Sequence, residues 1–260
     1  MDLGLRGKTV LVTGSSKGIG LGCAELFAAE GASLHLAARS ADLLETRCQA
    51  IRAAHQVDVQ VHSIDLAVRG SAEELAERCG DVDILVNNAG AIPGGTVDQV
   101  DESRWREAWD LKVFGYINIT RQYFARMRAR GGGTIVNVIG LAGECYDATY
   151  IAGTAGNASL MAFTRGIGST SIDQGVRILG VNPGAVETDR IRSLLASKAE
   201  TELGDRKRWR EFLSRWPLGR AASVEEVANV VVFLASERAS YLSGIIVTVD
   251  GGRAARGGTF

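Results

Sequence analysis

Proline occurs only three times in 260 residues, cysteine four times and histidine three times. With so little proline, and with no Ser-rich, repetitive or low-complexity block, nothing marks a linker, so one domain over residues 1–260 is expected. Cys23, Cys48, Cys79 and Cys145 are widely spaced and form no CxxC pair. That excludes a disulfide scaffold, leaves no metal site to expect, and makes a reduced, cytoplasmic setting the default. Long apolar runs are missing as well. The longest, VANVVVFLA, is too short to cross a bilayer, and the opening MDLGLRGKTVLVTG reads as neither a secretory signal nor a transit peptide. Charge of one sign is also absent: Lys and Arg number 29, Asp and Glu 30, and the net charge is -1. A nucleic-acid partner or an anionic membrane surface is therefore not expected. What remains is 46% hydrophobic residues, enough for a full core in a chain of this length.

Those apolar residues alternate in kind along the chain. Short β-branched runs (TVLVT, SLHLAA, VQVHSI, DILVNN, TIVNVI, VRILGV, GIIVTV) are separated by stretches of helical period. GIGLGCAELFAAEGA reads as a helix stopping at Gly31, and ADLLETRCQAIRAAH as an amphipathic one. SRWREAWDLKVFGYINITRQYFARM reads as a single long amphipathic helix, and SVEEVANVVVFLAS opens with a capping box, Ser223 and Glu226. TYIAGTAGNASLMAFTRG, residues 149–166, reads as one helix with Tyr150 near its start and Thr154 one turn on. Strands that are apolar on both sides, alternating with helices, make an α/β fold. It is a Rossmann-type doubly wound parallel sheet of about seven strands with helices on both faces. Ligands of such a sheet bind at the carboxyl ends of its strands.

Directly after the first strand comes TGSSKGIG, residues 13–20. Gly14 permits the turn, Gly18 lets backbone approach a pyrophosphate, and Gly20 lets the helix pack close to the strand. Phosphates then meet the exposed N–H groups of the helix start, around Ser16, Lys17 and Ile19. The second strand ends in Ala37-Ala38-Arg39-Ser40, with no carboxylate to grip a ribose 2′-hydroxyl. Arg39, with Lys17, favours a 2′-phosphate, so NADP(H) is preferred over NAD(H). The alternative is that Arg39 simply begins a solvated loop.

Five motifs in order (TGSSKGIG, Asn87-Asn88-Ala89-Gly90, Tyr150 on its helix, Asn182-Pro183-Gly184, and SGIIVTVDGG) resemble the short-chain dehydrogenase/reductase family over nearly the whole chain. The resemblance implies that Asp65 and Leu66 flank the adenine, and that Asn88, Ala89 and Gly90 line the cofactor cleft. It implies too that Pro183, Gly184 and Thr188 hold the nicotinamide end. In that family a Ser, a Tyr, a Lys four residues after the Tyr, and an Asn on the preceding long helix carry the chemistry. The tyrosine transfers the proton, and the lysine cation lowers its pKa.

Here only the tyrosine matches. Thr154 stands at the lysine position, Gly140 at the serine position in a loop about three residues short, and Lys112 at the Asn position. Of the five lysines (Lys8, Lys17, Lys112, Lys198, Lys207), only Lys112 comes from a position aimed at the catalytic centre. The expectation is that the cation has moved, Lys112 reaching Tyr150 from the neighbouring helix. The alternatives are an exposed lysine or an ion pair with Asp110 or Asp147. Thr154, Asn137 and Tyr146 are candidates to replace the missing serine hydroxyl. Thiol catalysis at Cys145 is rejected, because His35, His55 and His62 lie on segments away from it and read as structural.

Residues 187–216 fall where the family places a substrate lid. Leu194, Leu195, Leu203, Trp209, Phe212 and Trp216 suit an apolar substrate, and Arg190, Arg192, Arg206, Arg208 and Arg210 a carboxylate or phosphate. A solvated amphipathic face explains the same pattern. The expected activity is NADP(H)-dependent hydride transfer on a small-molecule carbonyl or secondary alcohol, with Tyr150 as general acid/base and a homo-oligomer, tetramer or dimer, built on small residues such as Gly153, Ala155, Gly156 and Ala158. Two rivals stand beside it: a catalytically silent dinucleotide-binding protein, and a reductase of an activated double bond.

Overall fold

A computed structural model describes residues 1–256. Seven strands form one all-parallel sheet: β1 (Thr9–Thr13), β2 (Ser33–Ala38), β3 (Val59–Ser63), β4 (Ile84–Asn87), β5 (Gly133–Val138), β6 (Val176–Pro183) and β7 (Ile246–Val249). Their order is β3-β2-β1-β4-β5-β6-β7. Eight α-helices accompany them: α1 (Gly18–Ala29), α2 (Ala41–His55), α3 (Ser71–Cys79), α4 (Glu102–Trp109), α5 (Gly115–Arg130), α6 (Ile151–Ser171), α7 (Asp189–Leu203) and α8 (Val224–Ala235).

Strand alternation sorts the core onto two faces. Val10, Val12, Leu34, Leu36, Val86 and Val181 pack with Phe27 of α1 and Val227 and Val231 of α8. Leu11, Leu85, Ile135 and Ile178 turn the other way, against Leu75 of α3 and Ile119, Tyr123 and Met127 of α5. The capping box of α8 forms as expected: Glu226 N–H donates to Ser223 Oγ at 3.1 Å, and Ser223 N–H to the Glu226 carboxylate at 2.7 Å. At its other end, the buried Arg177 guanidinium bonds the carbonyls of Leu234, Ala235, Ser236 and Ala239, satisfying acceptors that a helix terminus leaves open.

The long helix forms without a gap from Glu102 to Arg130, with a π-turn over Asp110–Phe114 between α4 and α5 that contains Lys112. The tyrosine helix begins at Ile151 and runs to Ser171, with Tyr150 as its non-helical N-cap residue. Tyr150 instead forms a bridge with Gly95: Gly95 N–H donates to Thr149 O at 2.7 Å. No helix among the described residues is long and apolar enough to cross a membrane.

Strand order reverses between β1 and β4, and their carboxyl ends carry Gly14 and Asn88. A doubly wound sheet opens its ligand crevice at such a point.

Candidate active site

The floor of the crevice is the glycine turn. Gly14 has φ of +66°, and a Cβ on it would stand 2.8 Å from Ala89 Cα. A Cβ on Gly20 would run into Asn88 Nδ2 and Gly14 O. Side chains are excluded here because the Asn88–Ala89 turn is pulled onto the end of β1. Asn88 N–H and Ala89 N–H both donate to Thr13 Oγ1, at 3.0 and 3.1 Å, and Asn88 Nδ2 donates to Gly14 O at 3.2 Å. Helix α1 starts at Gly18, with Lys17 as an extended N-cap whose side chain makes no capping bond, and it has no acid in its first turn. Its first N–H groups are thus left to an external anion, which fits a pyrophosphate beside Ser16, Gly18 and Ile19. Thr188 approaches from the start of α7: its methyl lies 3.4 Å from where a Gly18 Cβ would be. Pro183 ends β6, and Gly184 N–H donates to Val249 O.

At the outer end, Arg39 lies 3.8 Å from the Asp65 carboxylate and is well exposed. Such a pair is worth about 0–1 kcal/mol, so the guanidinium is free to turn toward a phosphate. Leu66 is buried and contacts Gly115 where α5 begins. One cleft of about 670 Å³ runs from Arg39 and Asp65 past Ile92 and Leu111 to Tyr150, Arg190 and Leu194.

Tyr150 lies folded back on its own helix, and a Cβ on Gly153 would strike its ring. Burial raises the pKa of its phenol; the positive charge of the nearby Arg190 pulls the other way. Arg190 sits in the first turn of α7 and also donates to Ile92 O at 2.6 Å. The cation acting on the phenol therefore comes from α7.

Lys112 has a buried rather than exposed ammonium, held by a backbone carbonyl rather than by Asp110 or Asp147. Its ammonium donates to Ile139 O at 2.5 Å, and its stem lies over Gly90. Burial, then the positive charge of Arg190, pushes its pKa down from 10.5 to about 7. Thr154 is buried one turn into α6 and is committed to the short loop: Asp147 N–H donates to its Oγ1, which also donates to Asp147 O, both at 3.2 Å. Gly140 has φ of +139°, where side chains are rarely found, and a Cβ there would stand 3.0 Å from Asn157 Nδ2. The absence of serine is built into the backbone. Asn137 is buried and spent on Asn87 and Thr164, while Tyr146 is 81% exposed, so neither presents a free hydroxyl or amide to the phenol.

On the lid, Arg192 pairs with Glu187, Arg206 with Glu200 and Arg208 with Glu211, and Arg210 stacks on Trp209. Arg190 is the lid arginine that lines the cleft, and Leu194 lines it with Ser193 and Ser197. Leu195 is buried behind them. Gly156, one of the small residues of α6, faces Trp109 and Val113 within the chain, and Trp109 Nε1 donates to Ala152 O.

Comparison with known proteins agrees with this architecture. The family model described as enoyl-(acyl carrier protein) reductase matches residues 14–254. A 3-oxoacyl-[acyl-carrier-protein] reductase of Aquifex aeolicus is 30% identical over 258 residues, covering 97% of this chain and 99% of the relative. A galactitol 2-dehydrogenase (L-tagatose-forming) of Cereibacter sphaeroides is 32% identical over 250 residues, 95% of each chain. The crystal structure of L-sorbose reductase from Gluconobacter frateurii, complexed with NADPH and L-sorbose, superposes with a TM-score of 0.92 at 33% identity, covering 98% of this chain and 99% of that one. The chain belongs to the short-chain dehydrogenase/reductase family and shares its NAD(P)-dependent oxidoreductase architecture.

Proposed function

We propose that this protein is an NADP(H)-dependent oxidoreductase interconverting a carbonyl and a secondary alcohol, with Tyr150 as general acid/base and Arg190 as its cationic partner. The observation that carries this reading is that Tyr150 and Arg190 line the same cleft, which reaches Arg39, with the Arg190 charge acting on the phenol. When bound, NADP(H) supplies or accepts the hydride at the nicotinamide. Arg39 meets the 2′-phosphate, and the open N–H groups of α1 hold the pyrophosphate. In the reductive direction Tyr150 Oη gives its proton to the oxygen that becomes the alcohol. Arg190 stabilises the phenolate left behind, the task the absent lysine would otherwise perform. Lys112, poised near neutrality at Ile139, is a second group able to hold or release a proton close to the cleft.

Relatives acting on L-sorbose and galactitol, together with Ser193, Ser197, Glu107 and Arg104 around the cleft, support a hydroxyl-rich substrate. We read the protein as a homo-oligomer, which light scattering checks.

The test is a panel of ketoses, polyols and 3-oxoacyl thioesters with NADPH, NADP⁺, NADH and NAD⁺, for the wild type and Tyr150→Phe. A general acid typically contributes ~10²–10⁴-fold, so turnover should fall by at least 100-fold while NADPH binding is kept. NADPH binding without turnover in either protein would establish the silent reading instead.

A further inference from the structure

A second cluster lies away from the cleft. His35 on β2, His62 on β3 and Cys79, the last residue of α3, are all buried, and their ligand atoms lie within 4.8 Å of one another. The register pairs Ala37 with His62 and His35 with Gln60, so the two imidazoles sit diagonally on one face of the sheet. Their rings stack 5.1 Å apart, with His35 Nδ1 and His62 Nε2 separated by 2.9 Å. Around them is the apolar cluster of Leu11, Leu75, Leu85 and Met127. Tyr123 is fully buried, and its hydroxyl stands by the Cys79 sulfur without meeting hydrogen-bond geometry to any partner.

A single histidine–histidine bond explains two of these groups but not the thiol or the unpartnered phenol converging on them. We propose that His35, His62 and Cys79 bind one thiophilic d¹⁰ cation, Zn(II) or Cu(I), in a buried N₂S site with Tyr123 Oη at its open side. Two imidazoles and a thiolate are the donors that such ions select. Around zinc, ligand atoms at about 2.0–2.3 Å stand roughly 3.3–3.7 Å from one another. The imidazoles must part by a few tenths of an ångström, and the sulfur must close by about 1 Å at most.

The proton balance is simple. The proton between the imidazoles moves to the outer nitrogen of its own ring, and the thiol loses its proton to solvent, so one proton leaves per ion bound. No electron is transferred. The site is neutral with Cu(I) and carries one positive charge with Zn(II). Arg78 and Arg126 on the Cys79 side weigh against the latter, and Asp58 beside His35 and Asp81 beside Tyr123 offset them. Low proton affinity of the buried imidazoles keeps both rings neutral and ready to ligate: His62 is held at about 4 by burial and then by the charges of His35 and Arg78. Bound metal would clasp β2, β3 and α3 just beneath the strand ends that carry Arg39 and Asp65.

The experiment uses the full chain after chelator treatment. Zn(II) is titrated against a competing chromophoric chelator, Cu(I) is titrated anaerobically, and Co(II) serves as a spectroscopic probe. One equivalent of either d¹⁰ ion should bind, and Co(II) should give a thiolate-to-metal charge-transfer band. Cys79→Ser should lose that band, His62→Gln should weaken binding at least 100-fold, and Cys145→Ser should change neither. Should Cys79→Ser not fold, pulsed alkylation of wild-type protein in urea that opens the apo fold, read by mass spectrometry, supplies the test: saturating metal should protect Cys79 from alkylation but leave Cys145 reactive. No stoichiometric binding of either ion, a charge-transfer band that survives Cys79→Ser, or alkylation of Cys79 unaffected by metal would overturn the proposal. None of these readouts depends on substrate or turnover.

Discussion

Replacing Arg190 by methionine tests the electrostatics of the cleft without needing a substrate. Methionine keeps much of the apolar stem while removing the charge near Tyr150. Two opposed influences act on the phenol. Burial raises its pKa, and Arg190 pulls it down. Removing the cation leaves burial unopposed, so the phenol should hold its proton more tightly. A nearby cation changes the proton affinity of such a group by roughly 10- to 1000-fold. Arg190 is solvent-exposed. Screening puts the effect at the lower end, about tenfold.

The assay is an ultraviolet difference titration of phenolate formation in the wild type and Arg190→Met, each referenced to the matching Tyr150→Phe protein. That subtraction removes Tyr116, Tyr123, Tyr146 and Tyr241 from the signal. Arg190→Met should titrate at higher pH, and Arg190→Lys should recover part of the shift because the charge returns without the forked geometry. The same substitution should raise the pKa of Lys112, since like-charge repulsion from Arg190 helps hold that ammonium down. In turnover, the acid-side limb of alcohol oxidation, which needs the phenolate as base, should move to higher pH with the phenol. Superimposable titrations of wild type and Arg190→Met would refute the pairing, whatever the kinetics showed.

Three further perturbations separate the roles of neighbouring residues. Lys112 has its pKa pushed down from 10.5 to about 7. Between those values the unfolded chain binds the extra proton, so folding stability climbs as pH rises, by at most about 5 kcal/mol. Lys112→Met should therefore unfold at higher temperature than wild type at pH 6, with the gap closing toward pH 9.5; a gap independent of pH would contradict the burial. Arg39→Ala should raise the KM for NADPH by about 10- to 100-fold, the worth of a charge-assisted phosphate contact, and leave that for NADH nearly unchanged. Equal effects on both cofactors would show that Arg39 does not read the 2′-phosphate. Gly140→Ser restores the family's residue in name only, because its φ of +139° and the nearby Asn157 amide oppose a side chain. Lower melting temperature with no gain in turnover is expected, and a gain would mean that the loop relaxes freely.

Much of the cofactor half is local in origin, and for that reason it is legible in sequence. The glycine turn, the Asn88–Ala89–Gly90 stretch and Arg39 each lie within a few residues of a strand end, and strands are visible from their β-branched runs. The capping box of α8 spans four residues and is read the same way. The catalytic half is not local. Lys112 stands at a position aimed at the centre, yet a π-turn sets its direction, and a π-turn leaves no mark in the 3.6-residue period. Arg190 is one of six arginines between residues 187 and 216, with similar surroundings in sequence. The docking of the first turn of α7 against Ile92 separates it from Arg192, Arg206, Arg208 and Arg210, which pair with or stack on their own segment. His35, His62 and Cys79 come from three elements, so no spacing rule unites them.

In the proposed mechanism the cation sits on α7 instead of α6, and that has a physical consequence. A lysine four residues after Tyr150 would ride on the same rigid helix, and its distance to the phenol would hardly vary. Thr154 has taken that place and fastens the Asp147 loop instead. Arg190 belongs to α7, which closes one side of the cleft. In that mechanism its influence on the phenol holds only while α7 is docked, tying the acidity of Tyr150 to the position of α7. Substrate seated against Ser193 and Leu194 would press the same turn of helix, so binding and proton transfer would be linked through one residue.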